Sequence, residues 1–157
     1  AIPLAICQPV TALIFDGVLA RFPTLRFGAI ELGAAWLPSW LQTMDAGFAA
    51  FKKGEARLQK LSLLPSEYAR RQLRVTPYSH EPTEWILNQS DPTMLLFSSD
   101  FPHVEGGRNP LKRFEDQLLN AAQASKDRFY RDNFIDLMGE GLASHLRYSK
   151  SEAATQH

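Results

Sequence analysis

Cysteine is almost missing from the sequence: Cys7 is the one example in 157 residues. A lone thiol excludes an intrachain disulfide framework and any multi-cysteine zinc site. It fits a reducing compartment, so a cytoplasmic location is expected. Long apolar runs are missing too, which argues against a membrane span. The opening AIPLAICQPV is short, contains two prolines and has no basic leader, so a signal peptide is not expected there. Neither sign of charge is in excess, with 17 Lys+Arg against 17 Asp+Glu. No nucleic-acid or anionic-membrane partner is therefore expected. Internal repeats, low-complexity runs and a Gly-rich phosphate loop are also absent, which leaves a flavodoxin-like nucleotide-binding domain without support.

What remains is an ordinary globular composition, 45% apolar and 22% charged, in a chain long enough for one core. PVTALIFDGVLARF, from Pro9 to Phe22, has apolar residues at helical spacing and is stopped by Pro23. TLRFGAIEL alternates as a strand of about seven residues, ending near Glu31. A helix is predicted from about Pro38 to Lys52, with Trp40, Leu41, Met44, Phe48 and Phe51 on one face. A polar helical stretch turns at Pro65. A second strand is expected around Leu73 to Pro77, and a short helix with Pro82 in its first turn. TMLLFSSD reads as a third strand, apolar on both faces as in a buried parallel sheet. A helix follows from Pro110, then one or two more segments with Ser125 as N-cap and Gly139 as C-terminal stop. Residues 1–149 read as one unit and 150–157 as a disordered tail. Strands alternating with helices imply parallel pairing through right-handed crossovers. Three such strands leave open edges, so another segment or chain should complete the sheet.

The strand in LLFSSDFPHVEGG runs straight into Asp100. A carboxylate at a strand's C-terminal end can ligate a metal or accept a proton, or it can form a helix N-cap or Asx-turn. His103, three residues on, suits a ligand, a substrate contact or a plain surface loop. Glu31 closes the first strand before a Gly-rich turn. It suits close approach to a ligand, or burial against Arg71 or Arg74. YSHEP places His80 and Glu81 just past the second strand, so Glu31, His80 and Asp100 should share one rim. Trp36, Trp40 and Trp85 read as core or subunit-contact aromatics. His145 and His157 read as solvated, and Cys7 as inert.

These segments resemble a known family. LLFSSDFPHVEGG is similar to the last-strand motif of the amidohydrolase-2 branch of the amidohydrolase superfamily, which includes aminocarboxymuconate-semialdehyde decarboxylase. DGVLARFPTLRFGAIELGAAWLP resembles the preceding signature, a helix ending in Arg-Phe-Pro and a strand opening into a Gly-rich loop. LLPSEYARRQLRVTP and DRFYRDNFIDLMG also resemble family segments, so the likeness spans roughly residues 8–140.

The resemblance implies an α/β fold: the C-terminal part of a (β/α)8 TIM barrel, about strands six to eight, incomplete as given. It implies a divalent metal, zinc as first choice, at the strands' C-terminal face, and a small organic substrate. Asp100 would be the metal ligand or proton-transfer residue, with His103 and Glu31 catalytic and His80 binding substrate. Many relatives carry histidine where this chain has Glu31. The family's His-x-His pair is absent, as is the histidine after the fifth strand. The chain is therefore expected to be a C-terminal portion of a metal-dependent hydrolase or decarboxylase. It would be inactive without its N-terminal half, would leave the metal site incomplete, and would hide its edges against that half or a homo-oligomer partner. The competing expectation is a non-catalytic half-barrel binding or assembly module.

Overall fold

The computed structural model describes residues 2–147. The expected tail, 150–157 with His157, lies outside them. Helix α1 (Ile2–Phe15) starts earlier than its apolar spacing suggested, with Pro9 inside it. The continuous helix expected to Phe22 is broken instead. Gly17 sits at φ 73°, ending α1 and leaving α2 (Val18–Arg21) as a single turn. Such left-handed positions cost glycine least, because it has no Cβ.

Strand β1 (Phe27–Ala29) pairs in parallel with β2 (Leu73–Val75), with Phe27 opposite Leu73 and Ala29 opposite Val75. Between them run α3 (Leu37–Phe51), α4 (Ala56–Gln59) and α5 (Pro65–Gln72). α3 buries Leu37, Trp40, Leu41, Met44 and Phe48, as its spacing predicts. Pro65 opens α5 as its first residue, where a missing N–H costs nothing. Asp45 on α3 accepts the Ser66 amide at 2.9 Å, tying the two helices together. After β2 come α6 (Thr83–Gln89), α7 (Pro110–Gln117), α8 (Gln123–Asp127), α9 (Asn133–Met138) and α10 (Ser144–Arg147). Asn109 caps α7 by accepting the Lys112 amide. Ser125 is not the cap expected, because it lies inside α8 and Ala122 takes that position. Gly139 ends α9 at φ 50°, as read from the sequence.

Both outer strands are shorter than the pattern suggested. β1 has three residues rather than seven, because the chain leaves the ladder at Glu31, where φ is +60°. The third strand shrinks to one parallel bridge, Val75 opposite Leu95, with Val75 N on Met94 O and Leu96 N on Val75 O. One residue later the Phe97 amide is taken by Phe129 O, in the π-helical turn Arg128–Asp132 that joins α8 to α9. A backbone N–H captured by a helical turn cannot extend a strand. The order β1–β2–Leu95 is parallel throughout, so the three C-terminal ends emerge on one rim.

The core gathers Ile14, Leu19, Leu37, Tyr68, Leu73, Val75, Ile86, Leu95 and Phe114, each at most 1% exposed. Full burial of such side chains contributes roughly 1.5–3 kcal/mol each. Phe97, Phe114, Phe129 and Tyr130 form an aromatic cluster, with Phe114 and Phe129 ring centroids 5.3 Å apart. Trp36 and Trp40 pack edge to face at 5.4 Å, as core aromatics; Trp85 is exposed. Among the described residues no helix is long and apolar enough to cross a membrane.

Candidate metal centre

At the common rim, the structure brings Glu31, Asp100 and His103 together. Each offers a donor atom, and the three atoms lie within 4.8 Å of one another. Asp100 Oδ1 meets His103 Nδ1 at 3.0 Å, and Glu31 Oε2 is 3.8 Å from the same nitrogen. Asp100 is the most sheltered of the three, with its side chain 15% exposed against 50% for Glu31 and 59% for His103. Two carboxylates and an imidazole suit zinc or manganese in a mixed oxygen–nitrogen set, so the residues present fit a divalent metal.

The backbone singles out the same residues. Among the described residues, Glu31 at φ +60° and Asp100 at φ +54° are the non-glycine positions with positive φ. Each costs on the order of 1–3 kcal/mol and persists where surrounding contacts over-determine it, commonly at ligand sites. At Asp100 those contacts are local. The Ser98 hydroxyl faces the Asp100 amide at 3.4 Å, and the Ser99 hydroxyl faces the Phe101 amide at 3.3 Å. The Asp100 carbonyl closes a turn with the His103 amide at 2.8 Å. Gly106 packs so closely that a Cβ there would overlap the Ser99 carbonyl.

Asp100 caps neither the 3-10 turn Val104–Gly106 nor α7, whose caps are His103 and Asn109. Glu31 meets neither Arg71 nor Arg74. Arg71 donates to Leu19 O and Gln72, and Arg74 to Asp136. His80 follows β2 on the expected side, but its ring stacks on Tyr78 at 5.4 Å and is not part of the trio. A narrow crevice of about 10 Å³, room for about one water, opens beside the trio and is lined by Glu31, Thr76, Tyr78, Ser98 and Asp100.

Sequence reasoning gave no role to Glu81, nor to Thr76 and Tyr78. Glu81 is 9% exposed and its carboxylate accepts three backbone amides: Ala34 at 2.8 Å, Ala35 at 3.0 Å and Tyr78 at 2.8 Å. It thereby ties the loop after β1 to the loop after β2. A buried acid beside His80 was visible in YSHEP; its amide partners were not. Arg113 and Gln117 on α7 reach Ser79 from the far side.

No family model and no curated protein matches the chain. Solved structures do. The crystal structure of amidohydrolase map2389c from Mycobacterium avium subsp. paratuberculosis K-10 superposes with a TM-score of 0.76 at 24% identity, over 88% of this chain and 34% of that one. The 5-carboxyvanillate decarboxylase from Novosphingobium aromaticivorans DSM 12444, complexed with manganese and 4-hydroxy-3-methoxy-5-nitrobenzoic acid, gives 0.68 at 17% identity, over 86% and 39%. This chain shares its fold with part of each of these structures. It spans between a third and two fifths of the length of these structures. The family resemblance read from the motifs is thus matched by the fold.

Proposed function

We propose that the chain is the C-terminal part, about strands six to eight, of a divalent-metal-dependent hydrolase or decarboxylase acting on a small organic substrate. The observation that carries this reading is the convergence of Glu31, Asp100 and His103 on one rim, with both acids held at positive φ. The manganese in the decarboxylase structure supports a divalent metal in this fold, and a donor set of two carboxylates and an imidazole is compatible with manganese as well as zinc, zinc being held more tightly.

Asp100, Glu31 and His103 would hold the metal, which when bound supplies a Lewis acid or an activated water. With the metal bound, His103 Nδ1, which lies 3.0 Å from Asp100 Oδ1 and 3.8 Å from Glu31 Oε2, would be the unprotonated nitrogen turned to it. Asp100 holds His103 beside it and lines the crevice. Three donors from one part of a barrel leave room for ligands from the rest. Turnover therefore requires the barrel to be completed, by the remaining strands or by another chain. The exposed apolar residues before and after β1 (Phe22, Leu25 and Ile30) fit such a cover. Residues 1–149 form the domain in this reading.

Titration of the completed protein with Mn2+ and with Zn2+ tests it. A single site that disappears in Asp100→Ala is expected; a completed wild-type protein that takes up neither metal would remove the metal reading of the trio.

A further inference from the structure

We propose that Thr76 and Tyr78, braced by Glu81, are positioning residues that hold Glu31 out of the β ladder with its carboxylate at the trio; this rests on the metal reading of that trio. The register fixes what the backbone would otherwise do. Gly28 lies opposite Arg74 and Ala29 opposite Val75, so Ile30 comes opposite Thr76. The Thr76 amide duly donates to the Ala29 carbonyl at 3.2 Å. The next rung of a parallel ladder would take the Glu31 amide to the Thr76 carbonyl. It goes instead to the Thr76 hydroxyl, at 2.8 Å. The side chain substitutes for the backbone acceptor, and the chain can turn away without orphaning the amide.

The other half of the Glu31 peptide is held as firmly. The Tyr78 hydroxyl donates to the Glu31 carbonyl at 2.9 Å. Both polar backbone groups of Glu31 are thus bound by side chains of the neighbouring strand's extension. That pair of bonds over-determines a left-handed conformation that a β-region glutamate would not adopt unaided. Glu81 fixes the geometry of the clamp, because it accepts the amides of both Tyr78 and Ala34. Gly33 at φ +65° lets the loop close. A Cβ there would stand 2.8 Å from both Glu81 Oε1 and the Tyr78 ring.

A clamp that serves the carboxylate has a signature that mere structural support lacks: its removal matters only while the carboxylate is there. The experiment is Mn2+ binding to the completed protein, read from the free-ion electron paramagnetic resonance signal. Thr76→Val deletes the acceptor and Tyr78→Phe deletes the donor, each almost without change of shape. Each is expected to weaken Mn2+ about 10- to 100-fold, the usual effect of losing a group that orients a ligand. Thr76→Ser keeps the hydroxyl and should bind as wild type. In a Glu31→Gln background, neither Thr76→Val nor Tyr78→Phe should weaken binding further. Wild-type affinity in Thr76→Val and Tyr78→Phe would overturn the inference, and so would equal losses with and without Glu31. A completed wild-type protein that binds no Mn2+ would bring down the metal reading first, and this inference with it.

Discussion

Arg74, buried in the middle of β2, reaches Asp136 on α9, 62 positions further along the chain. Asp136 also takes Arg26, at 3.1 Å, from just before β1. One carboxylate therefore binds α9 to the approach of one strand and the centre of the next. Burial pushes the Arg74 guanidinium down from its ordinary value, and Asp136 opposes that shift. The Arg74 Nε has no hydrogen-bond partner among the described residues. Asp136→Asn is expected to destabilise the fold by roughly 1–3 kcal/mol, as charge-assisted bonds to a buried cation are lost. Adding Arg74→Met should recover part of that loss, because the unpaired buried charge goes with it. Urea midpoints of the single and double variants check both statements; additive losses would contradict them.

Tyr130 offers a pH test. Its hydroxyl is buried without a hydrogen-bond partner among the described residues. Burial first, and then nearby Glu115, pushes its pKa up to about 12. The unfolded chain releases this proton near pH 10. Between about pH 10 and 12 the unfolded state holds fewer protons than the folded one, so stability falls as pH rises. Below pH 10 the contribution is fully present. Tyr130→Phe should flatten that alkaline loss. At neutral pH it should leave stability unchanged or raise it by up to about 1 kcal/mol, since an unsatisfied hydroxyl is removed. Melting curves of the two proteins from pH 8 to pH 11 decide the matter.

Gly33 should tolerate no side chain. Its φ of +65° is strained for any L residue, and a Cβ would press on Glu81 and Tyr78. Gly33→Ala is expected to cost on the order of 1–3 kcal/mol and to weaken metal at the trio, because the clamp on Glu31 shifts. An unchanged denaturation midpoint would show that the loop relaxes freely.

How much of this could be read from the residues depended on the range of the interaction. The α3 face was legible because a 3.6-residue period is local. Parallel pairing was legible because strands alternated with helices. Glu31 and Asp100 stood out because each ends an apolar run with a charge. Strand lengths were not legible. Nothing in MLLF announces that Phe129 takes the Phe97 amide, and nothing in GAIEL that Thr76 ends the ladder at Glu31. His80 was grouped with the site on strand direction alone, which fixes the rim but not the rotamer; its ring stacks on Tyr78, outside the trio. Glu81 was missed for the same reason, since three amides from two loops meet only in the folded chain.

The strand that runs into Asp100 supplies the last test. A buried β segment is a rigid mount. It places a carboxylate at the rim, where Ser98 and Ser99 take up the departing amides and His103 is oriented at 3.0 Å. Asp100→Asn should fold normally, because asparagine has the same shape and tolerates the left-handed region better than most residues. In the completed protein, turnover should fall by about two or more orders of magnitude, on the scale that a positioned acid–base group supplies. Bound metal should fall as well, since a neutral amide replaces a charged ligand. If Asp100 were only a turn residue, asparagine would serve equally well and activity would survive. Turnover and metal content of Asp100→Asn, measured in the completed protein beside a denaturation curve, separate the two roles. Wild-type turnover at full metal occupancy would reduce Asp100 to a structural turn.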